Sequence, residues 1–260
     1  MSEQVISLVN LGRLDYAPAL ALQQQVSALR QQESIGDVLL LVEHPPVLTL
    51  GRNAHRRHIV ASDELLARRG ISLFETNRGG DVTYHGPGQL VGYPILHLRS
   101  FTPPLGIVEY LRKLEEVLIR ACADYGVLTQ RAPGRAGVWT MPGGAVAEKK
   151  IAALGVHVAR GVTTHGFALN VTTDLDDFEL IVPCGIRDRS VTSIEAEADS
   201  TPSLEQVANA VSRHFGRVFG RQMVWVETLD DLLPSAHAVT AGLHSNRKFA
   251  VAKGSPCRPM

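Results

Sequence analysis

Cysteine is scarce in this chain. Three thiols in 260 residues, Cys122, Cys184 and Cys257, stand too far apart for a disulfide framework or a metal-ligand pattern. A reducing compartment and no structural metal are expected. Net charge is missing too: 26 Lys+Arg balance 26 Asp+Glu. That excludes a nucleic-acid binder relying on a broad basic face. No apolar run approaches the ~20 residues that span a bilayer. The Met-Ser-Glu-Gln start lacks the basic-then-apolar pattern of a secretory signal. There is no internal repeat and no linker composition. These absences leave a cytoplasmic chain with neither membrane nor nucleic acid as partner. A hydrophobic content of 45% is enough for a substantial core. One α/β domain is expected over residues 1–233, followed by a mobile tail over 234–260, where the hydrophobic pattern fades.

Periodicity predicts strands over residues 5–9, 38–42, 47–50, 71–74, 91–98, 127–130, 136–140, 149–158, 167–171 and 191–194. The run at 38–42 is continuously apolar, the pattern of a strand buried on both faces. Helices are expected from Asp15 to about Gln32, over 63–69, from 107 to a stop at Gly126, and from Ser203 with Gln206 completing a capping box. Residues 174–180 suit one or two helical turns. In the third helix Ile107, Leu111, Leu114 and Leu118 form the apolar stripe, with Arg112, Glu115 and Glu116 off it.

Chemistry is densest in residues 77–95, Asn-Arg-Gly-Gly-Asp-Val-Thr-Tyr-His-Gly-Pro-Gly-Gln-Leu-Val-Gly-Tyr-Pro-Ile. Its five glycines let main chain approach a ligand closely. Among them stand Arg78, Asp81, Thr83, Tyr84, His85 and Gln89, all able to bond or titrate. The plain alternative is a Gly/Pro-rich hairpin with polar decoration. So many hydrogen-bonding groups in one turn-rich stretch favour a site.

Two further residues stand out. Cys184, between Pro183 and Gly185, falls on a turn at the end of the segment carrying Phe178 and Leu180. Cys122, beside the stripe of the third helix, reads as core instead. Lys150 opens a strand, and a period of two puts it on the face of Ala152, Leu154, Val156 and Val158. Partial desolvation there lowers an amine's pKa. A lysine snorkelling at a strand end is the alternative. An ammonium beside a thiol favours the thiolate, the attacking form, and the neutral amine can then serve as a base. His165 or His85 could partner the thiol instead. Each, like His44, also suits a purely structural place. Ala153, Gly155, Gly166 and Ala168 leave a channel for a slender apolar ligand or pack a sheet closely.

Four segments occur here in the order and spacing of the lipoyl(octanoyl) transferases: Arg78-Gly-Gly-Asp-Val-Thr-Tyr-His-Gly-Pro-Gly-Gln, Lys150-Ile-Ala-Ala-Leu-Gly, His165-Gly-Phe-Ala-Leu-Asn-Val and Pro183-Cys-Gly. The chain resembles that family over residues 5–220. The resemblance implies a biotin/lipoate protein ligase-like fold, a mixed β-sheet flanked by helices. It implies transfer of an octanoyl (or lipoyl) group from acyl carrier protein to a lysine of a lipoyl domain, with no cofactor and no metal. Cys184 would carry the acyl group as a thioester, with Lys150 lowering its pKa and moving protons. Arg78, Gly79, Gly80, Asp81, Val82, Thr83, Tyr84 and His85 would line the acyl pocket. Ala153, Leu154, Gly155, Gly166, Phe167 and Ala168 would complete it, supported by His165. Glutamine usually stands where this chain has Asp81. The implied acceptors are the lipoyl domains of 2-oxoacid dehydrogenase E2 subunits and the glycine cleavage H protein, and a monomer is expected.

Overall fold

A computed structural model describes residues 4–142, 147–182 and 190–233. The expected turn at 142–144 lies mostly outside them, and Cys184, Cys257 and the expected tail lie wholly outside. In chain order the strands are β1 (Val5–Arg13), β2 (Asp37–Glu43), β3 (Val47–Leu50), β4 (Ser72–Glu75), β5 (Val82–His85), β6 (Gln89–Ile95), β7 (Thr129–Ala132), β8 (Arg135–Thr140), β9 (Lys150–Ala159), β10 (Val162–Asn170) and β11 (Gln222–Trp225). The main helices are α1 (Tyr16–Gln31), α2 (Asp63–Arg68), α3 (Ile107–Ala123), α4 (Ile194–Glu197) and α5 (Leu204–Phe219).

Eight strands form one mixed sheet in the order β11-β1-β2-β6-β10-β9-β8-β7, and three form a small sheet, β4-β3-β5. In the large sheet β1 runs parallel to β2 and to β11, and the other pairs are antiparallel. Central β2 is apolar on both faces because both are covered: Leu39 and Leu41 face α3 and α5, while Val38, Leu40 and Val42 face α1. This is the α/β architecture with one mixed sheet flanked by helices that the resemblance implied.

The third helix differs from its expected stripe. Its buried face is Tyr110, Leu114, Val117, Leu118 and Ala121, while Ile107 is 52% exposed. Glu115 is buried because it is fully used: one oxygen pairs with Arg112 at 2.7 Å and the other accepts from Gly137 N at 3.2 Å. At α5 the capping box forms as read, Ser203 and Gln206 each bonding the other's backbone N–H, and Gly220 ends the helix at φ 63°. Residues 191–194 are not a strand. Val191 makes a single bridge to Lys150, and Ser193 then caps α4, its hydroxyl accepting from Ala196 N at 3.2 Å. Strand β11 was not foreseen. It is short and largely exposed, and only pairing with β1 defines it.

The Gly-rich stretch is not a hairpin. Strand β5 pairs with β3 in the small sheet, whereas β6 pairs with β2 and β10 in the large one. The chain crosses between sheets at Gly86-Pro87-Gly88. Gly88 sits at φ 77°, and a Cβ there would lie 2.5 Å from the Thr172 hydroxyl. Only glycine suits that backbone and that contact.

Candidate active site

The crossing leaves a gap between the two sheets, and a cavity of about 490 Å³ fills it. That volume falls within the ~300–1,000 Å³ usual for small-molecule sites. The floor is large sheet: Val91 and Tyr93 of β6, Gly166 and Ala168 of β10, Ala153 and Gly155 of β9. The roof is Arg78, Gly80, Asp81, Val82, Thr83 and His85. Small residues sit opposite one another on the floor, Gly155 beside Gly166 and Ala153 beside Ala168. They line the cavity, and they also permit close packing, since a Cβ at Gly155 would lie 2.9 Å from Gly79 O.

Among the residues read as pocket wall, two stand back. Gly79 binds roof to floor, its N–H donating to Val156 O at 2.9 Å. Tyr84 packs its ring in the small-sheet core. Leu154 and Phe167 reach the cavity but belong chiefly to the helix-side core, with the Phe167 ring lying over Gly92.

A continuous polar chain runs through the roof. Arg78 is 8% exposed. Its Nε and Nη2 donate to Thr49 Oγ1 at 3.2 and 3.0 Å, and Nη2 also donates to Thr49 O at 2.6 Å. His85 Nδ1 meets Gln89 Oε1 at 2.7 Å, so that nitrogen carries the proton. Nε2 is then the acceptor facing Thr49 Oγ1 at 3.5 Å. Gln89 Nε2 donates to Asn170 Oδ1 at 2.8 Å, and Asn170 Nδ2 donates to Thr192 O at 2.9 Å. Only the Nε2 link to Thr49 needs neutral His85. Burial pushes its pKa down to about 3, with nearby His44 and Arg78 acting the same way. His165 is pushed down to about 4, by burial first and then by Arg78. Its ring Nε2 meets Asn77 Oδ1 at 2.7 Å, and its N–H donates to Gln23 Oε1 at 2.9 Å from a left-handed backbone, φ 56°. Both histidines are thus held neutral as structural parts of the wall. Tyr16, stacked on His85 at 6.3 Å between centroids, has its phenol pushed up to about 12 by burial.

Asp81 is 9% exposed and faces the cavity. One carboxylate oxygen accepts from Val82 N at 2.7 Å, and the other lies 2.7 Å from His58 Nδ1. Both carboxylate oxygens are thus engaged by groups of the wall.

Lys150 is half-buried and lines the cavity. It does not share the face of Ala152. Trp139 pairs with Lys150 while Val138 pairs with Ala152, so one step on β8 spans two on β9. The extra residue, Ile151, is a β-bulge, and it turns Lys150 to the cavity side with Ala153 and Gly155. Around it the main chain is laced to the following segment: Lys150 N donates to Ser190 O at 3.1 Å, and Thr192 N donates to Lys150 O at 2.9 Å. Upstream, Val182 N donates to His58 O at 2.7 Å. Cys122 is core as expected, its thiol pushed up to about 12 by burial.

Tyr16, Trp139, Asn170 and Phe178 also line the cavity and were not singled out as wall. Asn170 lies in one of the quoted segments and was the one with a signal. The other three arrive from separate elements, and only the folded chain brings them together.

The cavity thus lies between a small and a large sheet, with Lys150 the lysine of its wall among the described residues. The chain belongs to the lipoyl protein ligase A/B catalytic domain family, whose model matches residues 15–216. It is 61% identical over 243 residues to the octanoyltransferase of Acidobacterium capsulatum, covering 91% of this chain and 99% of that one. It is 54% identical over 237 residues to the octanoyltransferase of Koribacter versatilis, covering 91% and 93%. Among solved structures, lipoate-protein ligase A bound with ATP has a similar fold, at a TM-score of 0.65 and 18% identity, covering 94% of this chain and 95% of that one. With relatives this close, the chain is an acyltransferase, an enzyme of octanoyl transfer in lipoylation.

Proposed function

We propose that the enzyme takes its octanoyl (or lipoyl) group from acyl carrier protein and passes it to a lysine of a lipoyl domain through a thioester on Cys184. The acceptors are the lipoyl domains of 2-oxoacid dehydrogenase E2 subunits and the glycine cleavage H protein. The Cys184 thiolate attacks the carrier thioester carbonyl, a Cys–acyl bond forms, and the carrier thiol leaves with a proton. The acceptor amine then attacks Cys184's thioester, forming an amide and returning the thiol. Lys150 supplies positive charge beside the thiolate and then takes the proton from the acceptor amine. Thioester to thioester is nearly even and thioester to amide runs downhill, so no nucleotide is required. The covalent stop lets donor and acceptor use one site in turn, giving ping-pong kinetics.

The observation that carries this reading is Lys150, turned by the bulge into a slot floored with small residues. Support comes from the two flanks of residues 183–189. Ser190 is bonded to Lys150 itself, and Val182 to His58, whose ring reaches Asp81 in the cavity wall. The catalytic unit on this reading is residues 1–233, acting as a monomer in the cytoplasm.

Intact mass after exposure to octanoyl-acyl carrier protein tests it. The expected result is one added octanoyl group, absent in Cys184→Ser, and passed on to a lipoyl domain. Lys150→Ala should lose transfer by at least about 1,000-fold while keeping its melting temperature, the scale on which removal of catalytic groups acts. Turnover that depends on ATP would indicate adenylate chemistry instead. Free octanoate without an amide product would indicate a hydrolase, and no added mass would indicate a binding module.

A further inference from the structure

We infer that Trp139 is a positioning residue for Lys150, its indole face holding the ammonium at the cavity wall. The inference rests on the transfer reading above. Trp139 and Lys150 are direct cross-strand partners, and the Ile151 bulge puts both side chains on the cavity side. Lys150 Nζ lies 4.7 Å from the indole ring centroid. Trp139 itself is 1% exposed, so the platform is fixed. Beside it Gly137 adopts φ 121°, and a Cβ there would come within 3.4 Å of Lys150 Cε and 2.7 Å of Ala152 O. The strand thus leaves the lysine stem a clear path across the ring.

Arg135 also lies over the indole, at 4.4 Å, but is tied to Glu148. Lys149 points away and is held by Glu197 at 2.9 Å. Across the cavity Arg78 is bonded to Thr49, and both His85 and His165 are neutral near pH 7. A lysine stem has four rotatable bonds and a strongly hydrated head. A π face supplies attraction without taking up the lone pair the amine must later use as a base. Holding the nitrogen in place lowers the entropic cost of each proton transfer.

The test uses the full chain with Trp139→Leu, Trp139→Phe and Trp139→Tyr. Two quantities are read: steady-state transfer, and the pH dependence of trace acetylation at Lys150 followed by peptide mass spectrometry. Trp139→Leu should lower kcat roughly 2- to 30-fold, the span of a cation held on an indole, with little change in KM for the octanoyl donor. Lys150 should titrate at lower pH in that variant, because the ring favours the charged form. The aromatic variants should restore most of both, even where their melting temperatures fall as far as that of Trp139→Leu. Wild-type kcat and an unchanged Lys150 titration in Trp139→Leu would overturn the inference. So would losses that follow melting temperature alone across the three variants. Full transfer by Lys150→Ala would instead sink the transfer reading, and the acetylation profile would still decide whether the indole holds the amine.

Discussion

The two faces of the large sheet are made by the same strands and are built on opposite rules. Against α3 and α5 the sheet presents Leu39, Leu41, Leu90, Phe167 and Leu169, and the helices answer with Leu114, Leu118, Val211 and Phe215. Across from the small sheet it presents glycine, alanine, Asn170 and Lys150. The first face excludes water with volume. The second stays partly empty and buries a chain of hydrogen-bonded polar groups. The difference separates two kinds of damage. A hole on the helix side costs folding energy and leaves a working site in the molecules that do fold. A broken link on the cavity side distorts the site as well.

Phe215→Ala probes the first kind. Phe215 is fully buried and stacks on Phe219 at 4.4 Å. Its truncation should cost about 3–5 kcal/mol in urea unfolding with kcat per folded molecule unchanged; a matching fall in kcat would erase the contrast between the faces. Gln89→Leu probes the second. It leaves His85 Nδ1 and Asn170 Oδ1 without their partner, at about 1–3 kcal/mol for each orphaned group. It should also impair transfer beyond the loss of folded protein. A variant that loses stability alone would mean the chain is scaffold and nothing more.

A third effect comes from pH. His85 and His165 have folded pKa values of about 3 and about 4, below the ordinary 6.5. The unfolded chain therefore binds more protons below pH 6.5, and stability must fall as pH drops. The contribution is complete above about pH 6.5 and is lost progressively toward pH 4 and below. Melting temperature should be level from pH 8 to 7 and should decline between 6.5 and 5. A flat profile over that interval would show that these rings are not held neutral.

Much of this was legible in the sequence. Local signals fixed local outcomes: the Ser203–Gln206 box, Gly126 as a stop, and the doubly apolar run that became β2. The density of bonding groups in residues 77–95 marked the roof. What local signals cannot carry is partnership. Nothing in Val82–His85 says that it pairs with β3 while Gln89–Ile95, three residues on, pairs with β2 and β10. Strict alternation put Lys150 beside Ala152, and a one-residue bulge reversed its direction. Such a bulge shows only in the register between two strands. The stripe of α3 held at Leu111, Leu114 and Leu118 but missed Glu115 for a similar reason: it is inside because Gly137, from a distant strand, needs an acceptor there.

The contact between Gly79 and β9 has a further consequence. At that depth the ceiling is main chain, clamped to the floor by Gly79 N–H on Val156 O, and the floor at Gly155 is bare main chain as well. Neither can step aside as a side chain could by changing rotamer. Roof and floor therefore meet there in a seam of two peptide planes, and the cavity is bounded on that side by main chain rather than by side chains.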